Sequence, residues 1–197
     1  MQKQLNIVLF GPPGAGKGTQ SERVINRYNL AHISTGDLFR KHLGEGTDLG
    51  LQAQRYMDNG KLVPDEIVIG MVEDKINHTP NTNGFIFDGF PRTVHQAKVL
   101  DQILKLANAS ISVMILLNVP EDELKNRLRL RAKISGRTDD QDEVKIQTRI
   151  TEYRNKTLPV ASYYNQQDKL VTVDGVGSMD EIFGKVCTVL DPLYKMA

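Results

Sequence analysis

Cysteine occurs once in the 197 residues, at Cys187, so no disulfide can form within the chain. That scarcity fits a reducing compartment. Cys187 itself reads as a small apolar residue of a C-terminal helix rather than a reactive thiol. Charge of one sign is lacking too: 25 basic against 24 acidic residues leave a net charge of +1. Without a global field, nothing draws the chain to nucleic acid or an acidic membrane, and any anion site must come from local clusters. Long apolar runs are missing. The longest near the start is Ile7 to Phe10, too short for a signal-peptide core or a membrane span. Repeats, low-complexity tracts and linkers rich in Pro, Gly and Ser are not found either. The expectation is one cytoplasmic domain with a real core.

What is present alternates. Apolar runs at Leu5–Phe10, Ala31–Ser34, Gly84–Phe87, Ile111–Val119 and Leu170–Val173 read as buried parallel strands. Between them, Lys17–Tyr28, Val94–Leu106, Glu121–Arg131 and Val144–Asn165 carry helical spacing. A last helix is expected after Ser178, with Ser178 and Glu181 spaced as a capping box. This pattern predicts a doubly wound α/β fold with ligands at the carboxyl ends of the strands. Residues 35–77 break the alternation with several helices and no strand, as an inserted lobe would. Residues 132–142 are polar and read as a loop between helices.

The stretch F-G-P-P-G-A-G-K-G-T-Q, residues 10–20, fits the phosphate-loop pattern up to Lys17 and then departs from it. A strand before and a helix after make the match meaningful, because loop and helix N–H groups then converge on an anion. Gly14 and Gly16 let the backbone approach phosphate, and Lys17 supplies a point charge for the β and γ phosphates. Gly18 stands where Ser or Thr usually ligates Mg²⁺, which moves the hydroxyl to Thr19 and leaves the metal's protein contacts open. Water and the nucleotide's own phosphates can supply most of such a shell.

Further on, F-I-F-D-G-F-P-R-T-V-H-Q ends a strand in Asp88 and brings Arg92 and Gln96 to a helix start. On a strand beside the phosphate loop, Asp88 would sit near Mg²⁺; the plainer alternative is a turn or capping acid. The Gln96 amide offers the donor and acceptor that match an adenine edge, although a single glutamine is more often merely solvated. Arg127 and Arg131, four apart, share a helix face, while Arg129 falls off it. With Arg137 and Arg149 they form a basic cluster, and Asp139, Asp140 and Asp142 lie close enough in sequence to pair with it. His32, His42, His78 and His95 are scattered, so no general base stands near the loop. An acceptor that is itself a phosphate needs none, which favours phosphate-to-phosphate transfer.

Taken together, these motifs resemble the adenylate kinase family of nucleoside monophosphate kinases, over nearly the whole chain. G-P-P-G-A-G-K-G-T-Q is similar to the family's phosphate loop, in which glycine after the lysine is usual. S-T-G-D-L-F-R at 34–40, G-K-L-V-P at 60–64 and D-G-F-P-R with Gln96 resemble its monophosphate-binding elements. S-G-R-T-D-D at 135–140 resembles its lid, and V-D-G at 173–175 its C-terminal strand end. The resemblance implies a five-stranded parallel P-loop core flanked by helices, over about 1–33, 64–129 and 141–197. It implies a helical monophosphate-binding lobe at about 34–63 and a short lid at about 130–140. The implied reaction is reversible Mg²⁺-dependent transfer from ATP to AMP giving two ADP, by a monomer.

Position by position, the same resemblance gives Gly14, Ala15, Gly16, Lys17, Gly18 and Thr19 the donor phosphates. Arg127 and Arg131 would clamp the donor, and the Gly177 backbone would touch its base. Thr35, Arg40, Lys61, Leu62, Val63, Gly89, Phe90, Pro91, Arg92 and Gln96 would hold AMP. Arg137 and Arg149 would reach the transferring group and the acceptor phosphate. Thr35 favours AMP, since pyrimidine-preferring relatives tend to carry alanine there. The lid holds no cysteine and so no Cys-based zinc site. One departure stands out: Arg137 and Arg149 are twelve positions apart, whereas the family's usual spacing is eleven. If the extra residue lay inside the helix, Arg149 would turn about 100° away. The nearest rival is a kinase for UMP or CMP with the same fold. A nucleotide switch is disfavoured by the missing N-K-x-D guanine motif.

Overall fold

A computed structural model describes residues 4–135, 140 and 142–195. Its centre is a five-stranded sheet, all parallel, in the order β2-β3-β1-β4-β5. The strands are β1 Ile7–Phe10, β2 Ala31–Ser34, β3 Phe85–Asp88, β4 Val113–Asn118 and β5 Leu170–Asp174. All four residues of β1 are buried, because β1 is central and covered on both faces. Alternation along it feeds two cores. Val8 and Phe10 join Phe87, Leu100 and Tyr164 on one side. Ile7 and Leu9 join Val24, Ile115 and Val186 on the other.

The helices follow in chain order: α1 Lys17–Tyr28, α2 Thr35–Gly44, α3 Asp48–Met57, α4 Asp65–Asn77 and α5 Val94–Leu106. After β4 come α6 Glu121–Ser135, α7 Glu143–Glu152, α8 Pro159–Asn165 and α9 Met179–Lys195. The expected bounds of α1 and α5 match residue for residue. The capping box is made: Glu181 N–H donates to Ser178 Oγ at 3.2 Å, and Ser178 N–H donates to Glu181 Oε2 at 2.7 Å. Cys187 is buried on α9. Asn6 is fully buried and pins the strand bases, donating to the Ser110 carbonyl and accepting from Phe85 N–H.

Two helix bounds differ from expectation. α6 runs on to Ser135, through Ala132, Lys133 and Ile134, which by sequence pattern belong to the polar loop. The single helix expected over 144–165 is interrupted by a π-helical turn, Tyr153–Thr157, where Leu158 N–H reaches back to the Tyr153 carbonyl at 2.7 Å. The cause is Pro159 at the first turn of α8. Proline brings no N–H, and in a continuous helix its ring would strike the carbonyl four residues back.

Candidate functional site

The phosphate loop leaves β1 and enters α1 through Gly16, at φ 92°, a left-handed conformation that glycine adopts without a Cβ penalty. Gly16 offers no side-chain cap, and the first turn of α1 holds no acidic residue. The free N–H groups and positive end of this helix are therefore left for an anion. The Lys17 ammonium turns back into the loop and donates to the carbonyls of Gly11 at 2.8 Å and Pro12 at 3.0 Å. Burial lowers the Lys17 pKa from 10.5 to about 8; Asp88 opposes this, while Arg92, Arg149 and Arg131 add to it.

That shift has a readable consequence. The unfolded chain keeps the Lys17 proton up to 10.5 and the folded one only to about 8. Stability therefore rises with pH across that window, as the cost of a buried ammonium is relieved. A triphosphate held here, as the sequence leads one to expect, would favour the ammonium, raise the pKa again and take up protons. Its affinity should then fall as pH rises from about 8 to about 9.5. Calorimetry in buffers of different ionisation enthalpy checks this, with Lys17→Met expected to lose the slope.

Asp88 ends β3, paired in register with Leu9 on one side and Ser34 on the other. Its Oδ2 lies 3.9 Å from where a Cβ on Gly18 would stand, beside the first turn of α1. Among the described residues, no group of three or more His, Cys, Asp or Glu side chains could hold a metal ion. A hard carboxylate oxygen beside a phosphate loop nevertheless suits Mg²⁺ that arrives with a nucleotide, since this ion commonly takes one carboxylate along with phosphates and water.

Gly89 follows at φ 76°. A Cβ there would lie 3.0 Å from Thr35 Oγ1, so the close approach requires glycine. Thr35 is buried, and its hydroxyl donates to the Gly89 carbonyl at 2.9 Å. Arg92 Nε donates to the same carbonyl at 2.7 Å. Arg40 is paired with Asp37, one turn earlier on α2. Burial pushes the Asp37 carboxyl up, but hydrogen bonds with Arg40 and Ser34 outweigh it and hold the pKa below its usual value.

The arginines of α6 and α7 converge on one carboxylate. Arg131 grips Asp140 with Nε at 2.5 Å and Nη2 at 2.9 Å, and Arg149 Nη1 reaches it at 2.6 Å. The Asp140 side chain is fully buried. The twelve-residue spacing thus leaves Arg149 facing inward. Asp142 caps α7 by accepting from Val144 N–H, so the helix that carries Arg149 begins at Glu143. Arg127 donates to Glu123 at 2.7 Å and to the Gly175 carbonyl at 3.0 Å, linking α6 to the end of β5. Arg129 points elsewhere, to Glu143.

A cavity of about 500 Å³ gathers most of the expected residues, within the usual range for small-molecule sites. Gly14, Gly16, Lys17, Gly18 and Thr19 line it on the loop side. Arg40, Lys61, Leu62, Asp88 and the run Gly89 to Arg92 line it as well. Arg127, Arg131 and Arg149 close it. Ala15, Thr35, Val63, Gln96 and Gly177 do not line it in this conformation. Gln96 is 1% exposed, and its amide already bonds to Arg92 N–H and Asp65. Arg137 lies outside the described residues. Sequence reasoning passed over Asp37, Glu152, Tyr153 and Thr157, which also line the cavity. Asp37 could have been found three residues before Arg40, and Glu152 and Tyr153 one turn after Arg149. Thr157 depends on the π turn and carries no sequence signal.

A phosphate loop on the central strand of a parallel sheet, sharing a cavity with arginines from four other segments, defines a P-loop kinase of the nucleotide-binding class. The comparisons narrow this. The family model described as "Adenylate kinase" matches residues 9–169. An adenylate kinase of Flavobacterium johnsoniae is 48% identical over 189 residues, covering 96% of this chain and 100% of the relative. One from Bacteroides fragilis is 46% identical with the same coverage. One from Clostridium perfringens is 39% identical over 94% of this chain and 98% of its own. The chain belongs to the adenylate kinase family.

Proposed function

We propose that the chain catalyses reversible, Mg²⁺-dependent transfer of a phosphoryl group from ATP to AMP, giving two ADP and so balancing the adenine nucleotides. The observation that carries this reading is the single cavity in which the phosphate loop with Lys17 faces Arg40, Arg92, Arg127, Arg131 and Arg149. Phosphoryl transfer asks mostly for positioning and charge neutralisation, which such a set supplies. The AMP phosphate is already ionised, so the lack of a catalytic base costs nothing.

Residue by residue, Gly14 to Thr19 hold the donor phosphates, Arg127 and Arg131 clamp the donor, and the Gly177 backbone meets its base. Arg40 and Arg92 anchor the AMP phosphate. Thr35, the Lys61 to Val63 backbone, the Gly89 to Pro91 backbone and Gln96 enclose its base. Arg149, with Arg137, neutralises the group in flight. Asp88 would hold Mg²⁺, through water. When bound, Mg²⁺ would supply neutralisation of the phosphate charge. Residues 34–63 serve as the acceptor lobe of one P-loop domain, and its closure excludes water that would otherwise waste ATP; the lid expected at 130–140 lies partly outside the described residues. The protein is read as a cytoplasmic monomer with no nucleic-acid, membrane or zinc partner; no helix among the described residues is long and apolar enough to cross a membrane.

The test is an acceptor panel with Mg·ATP in excess. AMP is expected to exceed UMP and CMP in kcat/KM by at least about 100-fold. Comparable rates with a pyrimidine acceptor would overturn the AMP assignment and favour the rival kinase.

A further inference from the structure

Asp65 opens α4, with Pro64 between it and the Lys61–Val63 segment, and Thr93 caps α5. Although 28 residues apart, the two side chains meet: Thr93 Oγ1 donates to Asp65 Oδ2 at 2.7 Å. Thr93 Oγ1 also accepts from Gln96 N–H at 3.1 Å, which completes the cap. The other carboxylate oxygen, Oδ1, accepts from Gln96 Nε2 at 2.8 Å. At the far end of the amide, Gln96 Oε1 accepts from Arg92 N–H at 2.7 Å.

This arrangement fixes which way round the amide lies. A carboxylate only accepts and a backbone N–H only donates, so the nitrogen must face Asp65 and the oxygen must face Arg92. Turning the amide over would set oxygen against carboxylate and N–H against N–H. Two bonds would be lost and two like contacts made, at a side chain that is 1% exposed and cannot turn to water. The bonds in place leave one N–H and one oxygen lone pair unused. Their order matches a purine carrying a ring acceptor at N1 and an amino donor at C6. A 6-oxo purine presents the reverse, N1–H and a carbonyl, and could pair only with the inverted amide.

We propose that Asp65 is the positioning residue that sets acceptor specificity, holding Gln96 so that the site takes a 6-amino purine monophosphate and refuses a 6-oxo one. The inference rests on the reading above that Gln96 meets the acceptor base. Asp65 touches neither substrate nor phosphate in this role; it acts through Gln96. A purely structural Asp65, joining α4 to α5 through Thr93, would affect every acceptor alike.

Asp65→Asn separates the two. Its amide has nearly the same shape, yet it can turn to donate to an inverted Gln96, removing one of the two mismatches. The readout is the ratio of kcat/KM for AMP over IMP, which is independent of the fraction of enzyme that is folded. In Asp65→Asn the ratio should fall by about tenfold, the worth of one buried mismatch, with KM for AMP raised. Gln96→Ala should lower the ratio too, and the double variant no further than Gln96→Ala alone. Asp65→Ser, which also removes the charge, gives an independent second measurement. A ratio that holds in both Asp65 variants while Gln96→Ala lowers it would overturn the role of Asp65. A ratio that holds in all of them would overturn base reading by Gln96, and the proposal with it.

Discussion

Replacing Lys17 by Met should lower kcat/KM by about a thousandfold or more, without lowering Tm. The two halves of that expectation have one cause. The ammonium sits among Gly11, Pro12, Asp88 and three arginines, and burial pulls its pKa down to about 8. Before nucleotide binds, this is an expensive place to keep a proton, so a neutral side chain of similar length removes a cost. In the proposed reaction the same ammonium would meet the β and γ phosphates once the donor binds, where charge gathers in the transition state. Catalysis and stability therefore pull in opposite directions at Lys17. Steady-state rates beside a thermal melt check both halves. A variant that keeps most of its turnover would remove Lys17 from the reaction, and a much lower Tm would mean that it is structural.

Arg149→Ala should be the other severe change, lowering kcat by about three orders of magnitude, as loss of an arginine that stabilises a transferring phosphoryl group does. Its position supports this size. Arg149 lines the cavity and lies close enough to Lys17 to depress that group's pKa. It shares the buried Asp140 with Arg131, so two guanidiniums are held together over the loop against their mutual repulsion. Arg149→Lys should restore little, because a lysine head cannot reproduce the planar fork. Affinities for ATP and AMP, measured separately by calorimetry, should weaken by no more than about tenfold, since the charge Arg149 meets is greatest in transit. A kcat within tenfold of the parent would contradict the assignment.

How far the sequence could be read depended on how local the determinants were. The bounds of α1 and α5 and the capping box at Ser178 were legible because propensity, periodicity and caps act within a few residues. The phosphate loop was legible for the same reason, down to the doubt raised by Gly18. The π turn was not, because Pro159 signals an interruption while no local residue announces the wider closure from Leu158 N–H to the Tyr153 carbonyl. The orientation of Arg149 could be posed only as a question of phase, answered by where Asp142 caps α7. Asp65 was invisible as a partner of Gln96, since the two are 31 residues apart and meet only when α4 packs on α5. The acids after Arg137 were suspected as partners for the arginines, but nothing local says that Asp140 takes two of them at once.

The most direct test of the account is to give the purified protein Mg²⁺ and ADP alone and to follow ATP, AMP and free phosphate over time. Transfer between two bound adenine nucleotides predicts ATP and AMP appearing in equal amounts, with no free phosphate. Free phosphate in place of ATP, or ADP that binds and stays unchanged, would contradict it.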